Sequence, residues 1–139
     1  MIMKGKKGLS VVLANNKSIA YGIAKACADQ GAEMGFTYLN DALKKRVEPI
    51  AAEFGSDKVY KLDVGDEADM DAIAGLVEKD FGKIDFLVHS VAFAPKEALA
   101  EPFMQTNKSA VSISMDVSVF SLFDLTNKLT PVLSDDSSI

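Results

Sequence analysis

Apolar positions along the chain follow two rhythms that take turns. Leu9–Ala14 is a short Val-containing run of the kind a buried strand presents. Ser18–Gln30 follows with Ile19, Ile23, Ala24 and Cys27 at helical spacing, and Gly31 stops it. Glu33–Tyr38 reads as a second strand. Asp41–Phe54 then sets Leu43, Val47, Ile50 and Phe54 on one helical face, with Gly55 as its stop and Pro49 expected to kink it. Lys58–Leu62 is a third strand. Asp66 can cap a helix whose apolar face is Met70, Ile73, Val77 and Phe81, ended by Gly82, and Ile84–His89 is a fourth strand. In Ala110–Leu129, Val111, Ile113, Met115, Val117 and Val119 alternate with polar residues as in a strand. That segment is far longer than a typical strand of about five or six residues, so it is assigned to helix. Ser137-Ser138-Ile139 reads as the start of a fifth strand cut short.

Strands alternating with helices predict an α/β fold: a doubly wound parallel sheet in a three-layer α/β/α sandwich with right-handed crossovers. The chain of 139 residues has room for one domain. Lys and Arg number 15 against 20 Asp and Glu, a net charge of −5 that argues against a nucleic-acid partner. The densest basic cluster, Lys44-Lys45-Arg46, reads as a solvated helix face. A single cysteine, Cys27, and a single histidine, His89, exclude an internal disulfide and a structural zinc site, and read as core residues. The apolar stretch after Lys4, Lys6 and Lys7 is too short for a signal peptide, and no run looks long enough to span a bilayer. The expectation is a soluble, cytoplasmic protein with no metal and no membrane partner.

The chemistry concentrates where the first strand runs into the first helix. A strand, a short polar loop and a helix start form a phosphate-binding unit, because the helix N-terminus offers free N–H groups and the positive end of its dipole. Ser18 is placed to cap that helix, and Gly22 to let it approach the sheet. The G-x-G-x-x-G fingerprint is absent, so topology alone leaves a plain structural loop equally open. The string Asn15-Asn16-Lys17-Ser18-Ile19-Ala20-Tyr21-Gly22-Ile23-Ala24 resembles the cofactor loop of NADH-dependent enoyl-(acyl carrier protein) reductases, in the short-chain dehydrogenase/reductase superfamily. Further matches are Phe36-Thr37-Tyr38-Leu39-Asn40, Leu62-Asp63-Val64 and His89 to Leu99, in order across essentially the whole chain.

The resemblance implies a Rossmann-type NAD(P)-binding domain over residues 1–139, incomplete and truncated after about the start of strand five. It implies that Ser18 and Ile19 lie over the cofactor pyrophosphate and ribose, and that Leu39 meets the adenine ribose. Asp63 and Val64 would frame the adenine, Ser90, Val91 and Ala92 would flank the nicotinamide, and Ala94 would edge the acyl pocket. The cofactor implied is NADH rather than NADPH, since Leu39 and Asn40 stand at the end of strand two with no basic residue beside them. The implied reaction is hydride transfer to a 2-enoyl thioester on acyl carrier protein, in fatty-acid biosynthesis, by a homotetramer whose interface includes Ala110–Leu129.

Two departures qualify this. Val12 stands where the family has glycine, so a β-branched side chain meets a backbone that passes close to the cofactor. The family's catalytic tyrosine and lysine fall on a later segment, and Tyr21, Tyr38 and Tyr60 match neither. No catalytic residue is therefore assigned, and the chain alone is expected to be inactive. The alternative is a catalytically inactive NAD-binding fragment or remnant. A chain ending here is also expected to leave strand four as a bare apolar edge, with marginal stability or self-association.

Overall fold

The structure is a computed structural model that describes residues 1–100 and 102–139. Five strands, β1 (Lys7–Val11), β2 (Glu33–Tyr38), β3 (Val59–Lys61), β4 (Ile84–His89) and β5 (Leu133–Ser138), form one sheet in the order β3-β2-β1-β4-β5. Every pairing is parallel. Helices α1 (Ile19–Asp29), α2 (Asp41–Glu53) and α3 (Glu67–Phe81) make the crossovers. After β4 come a five-residue helix α4 (Lys96–Ala100), then α5 (Lys108–Met115) and α6 (Ser121–Leu129), joined through a π-helical turn at Asp116–Phe120. This is the predicted Rossmann-type, three-layer sandwich.

Successive strand residues point to opposite faces, and two apolar clusters result. On one face Leu9, Val11, Ile84 and Leu87 meet Met70, Ile73, Val77 and Phe81 of α3 and Leu125 and Leu129 of α6. On the other, Met34, Phe36 and Phe86 meet Ala20 and Ala24 of α1 and Val47, Ile50 and Ala51 of α2. Gly8 permits the second cluster to close: a Cβ there would lie 2.1 Å from the Phe86 ring. Asp85 ties the start of β1 to β4, with Oδ2 accepting from the Lys7 N–H at 2.8 Å and Oδ1 facing the Lys6 ammonium at 3.2 Å. That backbone N–H, and then the Lys6 charge, hold its carboxyl below the usual range.

Several expectations need correction. The first strand stops at Val11, not Ala14, because Val12 adopts φ 56° and breaks the extended run. The buried face of α1 is Ala20 and Ala24; Ile19 and Ile23 are exposed, and Gly22 faces open space rather than the sheet. Only small residues let this helix lie close to the strands. Helix α2 runs unbroken through Pro49. The fifth strand begins at Leu133 and covers β4, so the outer edge is not apolar strand four but a polar strand carrying the exposed pair Asp135 and Asp136. Charges on an edge oppose the pairing of a further strand. Finally, Lys108–Val132 is one continuous 25-residue helical stretch, long and apolar enough by composition to cross a membrane, contrary to the reading that no such run exists. Its Ala110, Ser121, Leu125 and Leu129 are buried within this domain, so one face of it is spoken for by the sheet and α3.

Candidate functional site

Parallel strands bring their carboxyl ends to one edge, and the crossover loops gather there. Val11 pairs with His89, Ser10 with Phe36, and Tyr38 with Lys61, so the residues just beyond, Val12, Ser90, Leu39 and the Leu62–Val64 turn, line up along that edge. Val12, Val64 and Val91 are all half-buried against the same apolar cluster.

The loop after β1 is built by its own side chains. Asn15 Oδ1 accepts from the Lys17 N–H at 2.8 Å. Ser18, in extended conformation (φ −74°, ψ 153°), donates its hydroxyl to the Asn15 carbonyl at 2.8 Å and accepts from the Tyr21 N–H at 3.2 Å. It is the cap of an eleven-residue helix, as expected. Helix geometry leaves further N–H groups of the first turn without internal acceptors. Ile19 stands beside them 78% exposed.

Val12 combines two features that the residue type sets against each other. Its φ of 56° lies in the left-handed region, where a β-branched residue is strained. Its side chain nevertheless packs against the cluster on the α3–α6 face, away from the α1 loop. Thr37, fully buried on β2, holds this backbone by accepting the Val12 N–H at 2.7 Å through Oγ1, and the Thr37 carbonyl takes the Leu13 N–H at 3.0 Å. The buried Thr37 was a sequence signal for this role that reading for periodicity passed over.

Leu39 is half-buried beside Asn40, whose Oδ1 caps α2 by accepting the Leu43 N–H at 3.0 Å. Lys44 lies over the Tyr38 ring at 5.9 Å, with its ammonium 3.7 Å from Glu48. Asp63 closes a turn: its Oδ1 accepts from the Gly65 N–H at 2.8 Å, and its own N–H donates to Asp69 at 3.0 Å. Val64 and Gly65 line a cleft of about 240 Å³ whose other wall is Asp116, Phe120, Ser121 and Asp124.

Ser90, Val91 and Ala92 continue from β4 as irregular chain, with Ala94 just before α4. This stretch is tied down by a residue the pattern had only counted as polar. Ser118 Oγ accepts from the Phe93 N–H at 3.0 Å and donates to the Phe93 carbonyl at 3.1 Å. His89 is a satisfied structural histidine, as expected: its Nε2 lies 2.8 Å from Ser121 Oγ, and burial pushes its pKa down.

The three tyrosines are all engaged elsewhere. The Tyr60 hydroxyl donates to Asp80 at 2.7 Å, and burial, then that carboxylate, raise its pKa strongly. Tyr21 donates to Glu53 at 3.1 Å, and Tyr38 is buried in the sheet. Cys27 packs against the second cluster, where burial raises its thiol pKa.

The chain's sequence matches the profile of the enoyl-(acyl carrier protein) reductase family over residues 13–139. An enoyl-acyl-carrier-protein reductase (NADH) from Rhizobium meliloti is 44% identical over 138 residues, covering 99% of this chain and 51% of that protein. The crystal structure of the corresponding Aquifex aeolicus enzyme superposes with a TM-score of 0.93 at 41% identity, over 97% of this chain and 58% of that one. An Anaplasma phagocytophilum reductase structure, solved in complex with NAD, gives 0.90 at 39% identity over 95% of this chain and 50% of that one. The chain thus spans about half the length of the relatives it matches.

Proposed function

The chain belongs to the enoyl-(acyl carrier protein) reductase family, and from that premise we propose that it forms the cofactor-binding part of an NADH-dependent enoyl reductase. The observation that carries this reading is the meeting, along one carboxyl edge, of the α1 N-terminus, the exposed Ile19 and the Val12–Val64–Val91 group. A dinucleotide needs donors for its pyrophosphate and apolar contacts for its rings, and this edge has both. The first turn of α1 and Ser18 would hold the pyrophosphate, and Ile19 would cover the ribose. Leu39 would meet the adenine ribose, Asp63 and Val64 the adenine. Ser90, Val91 and Ala92 would flank the nicotinamide, with Val12 beneath and Ala94 at the acyl pocket. Bound NADH supplies the hydride that adds to the β-carbon of a 2-enoyl thioester on acyl carrier protein. No basic residue stands beside Leu39 and Asn40, the nearest being Lys44 and Lys45, which favours NADH over NADPH.

The α5–α6 stretch presents Val111, Met115, Val119, Phe120 and Phe123 to solvent, Phe123 at 65% exposure. Such a contiguous apolar face supports self-association, with the tetramer of the family as the assembly, in the cytoplasm. One observation favours the alternative of an inactive fragment or remnant. Val12, a β-branched residue, is held in the left-handed region.

The test is a titration of this chain with NADH and with NADPH, followed by an assay of crotonyl-thioester reduction. Saturable NADH binding, weaker NADPH binding and no turnover by this chain alone are expected. If neither the chain nor its Val12→Gly variant binds NADH saturably, the reading is overturned.

A further inference from the structure

We infer that the π-helical turn at Asp116–Phe120, locked by Ser121 and His89, is a positioning device for the loop of residues 90–95, which it holds through Ser118. In a regular α-helix the Ser121 N–H would donate to the carbonyl of Val117, four residues back. Here it donates to Asp116, five residues back, and so passes over the Val117 carbonyl. The Ser121 hydroxyl donates to that carbonyl at 2.6 Å, the same four-residue back-bond that Ser114, Thr126 and Thr130 make along this stretch, here set at the π-turn. A hydroxyl has one proton. The same oxygen lies 2.8 Å from His89 Nε2, and with its proton on the Val117 carbonyl it accepts from the ring in the tautomer that carries Nε2–H. His89 ends β4, paired with Val11 of the central strand, so the lock is anchored to the middle of the sheet.

The extra residue of a π-turn rotates the helix on its N-terminal side by about 100° relative to the helix on its C-terminal side. Ser121, Leu125 and Leu129 of α6 are buried, and this fixes the orientation of that half. The π-turn then brings Ser118 to the side of the 90–95 loop, where its hydroxyl grips both backbone groups of Phe93. Removing the lock lets the turn relax toward a regular helix and swings Ser118 off Phe93, although neither Ser121 nor His89 touches Phe93. On the reading of an NADH site, which this inference uses, the device sets the nicotinamide end and leaves the adenine end alone.

The experiment is amide hydrogen exchange on this chain, read at Phe93 and at Leu9–Val11, together with affinities for NADH and for ADP-ribose, which lacks the nicotinamide. Ser118→Ala should speed exchange at Phe93 by about tenfold, the loss of one hydrogen bond. Ser121→Ala should do the same from a distance, and Ser121→Thr, which keeps the hydroxyl, should restore protection. Protection at Leu9–Val11 should be unchanged throughout and reports that the variants fold. If Ser121→Ala lowers that core protection too, the Ser121→Thr and Ser118→Ala pair decides. NADH affinity should fall severalfold in the Ala variants while ADP-ribose affinity holds. Unchanged Phe93 exchange in folded Ser121→Ala, or equal losses for both ligands, overturns the inference. If neither the parent chain nor its Val12→Gly variant binds NADH, the functional reading fails, and exchange at Phe93 alone still decides whether the π-turn positions the loop.

Discussion

Residues 1–89 and residues 90–139 put their apolar side chains in different places. In the first region the strands and α1–α3 bury theirs in two clusters, and each helix starts on a side-chain cap: Ser18, Asn40 and Asp66. In the second, Phe93, Phe103, Met104, Met115 and Phe123 are at least half exposed, and the long helix is interrupted by a π-turn. The first region buries most of its apolar side chains, and Leu125, Leu129 and Val132 of the second complete one of its two clusters. The second places Ala110, Leu125, Leu129 and Val132 in the core, and presents its remaining large apolar side chains outward. A substitution should therefore disturb folding in the first region and association or ligand geometry in the second.

The sharpest way to break that contrast is Gly8→Val. Its Cβ would lie 2.1 Å from the tip of the buried Phe86 ring, so a loss of about 3 kcal/mol is expected, seen as a lower urea midpoint. A change below 1 kcal/mol would mean the first region is loosely packed. Next is Val12→Gly, the one place where the first region is strained. Relief of the left-handed backbone, less the lost packing of a half-buried valine, should raise stability by about 1 kcal/mol. NADH binding should tighten with it, measurable in the same titration. Asp66→Ala removes the acceptor for the Asp69 N–H and should cost about 1 kcal/mol in denaturant midpoint.

A smaller effect comes from pH. Burial lowers the His89 pKa, so the folded chain binds this proton less readily than the unfolded chain. Its contribution is fully present above about pH 6.5, the ordinary value for histidine, and is lost as pH falls through the lower folded value. Urea midpoints at successive pH values from 7.5 to 5 should fall, and the slope should flatten in His89→Gln. Smallest for folding is Phe123→Asp: within about 0.5 kcal/mol of the parent in stability, yet shifted toward monomer in light scattering. If that variant unfolds instead, the second region is as self-contained as the first.

The same contrast governs what could be read from the amino acids. Glu33–Tyr38 and Ile84–His89 match their strands end to end, because buried parallel strands are continuous apolar runs with sharp stops. The sheet face of α1 differs from the expected one because hydrophobicity favours Ile19 and Ile23, whereas close helix–sheet contact selects Ala20 and Ala24. At the site, the cap role of Ser18 and the departure at Val12 were legible from residue type. The grip of Ser118 on Phe93 was not. It depends on a change of helical period, and the local pattern of Ser112, Ser114 and Ser118 looks like strand alternation.

The strand order has a consequence in time. β1 lies at the centre, yet its partner β4 is far along the chain: the bond from Lys7 to Asp85 closes a separation of 78 residues. At ribosomal rates of about 5–20 residues per second, the nascent chain waits on the order of ten seconds between making β1 and making the strand that completes it. Through that interval Leu9 and Val11 can be flanked by β2 alone, and folding of the centre is a late event set by synthesis of β4.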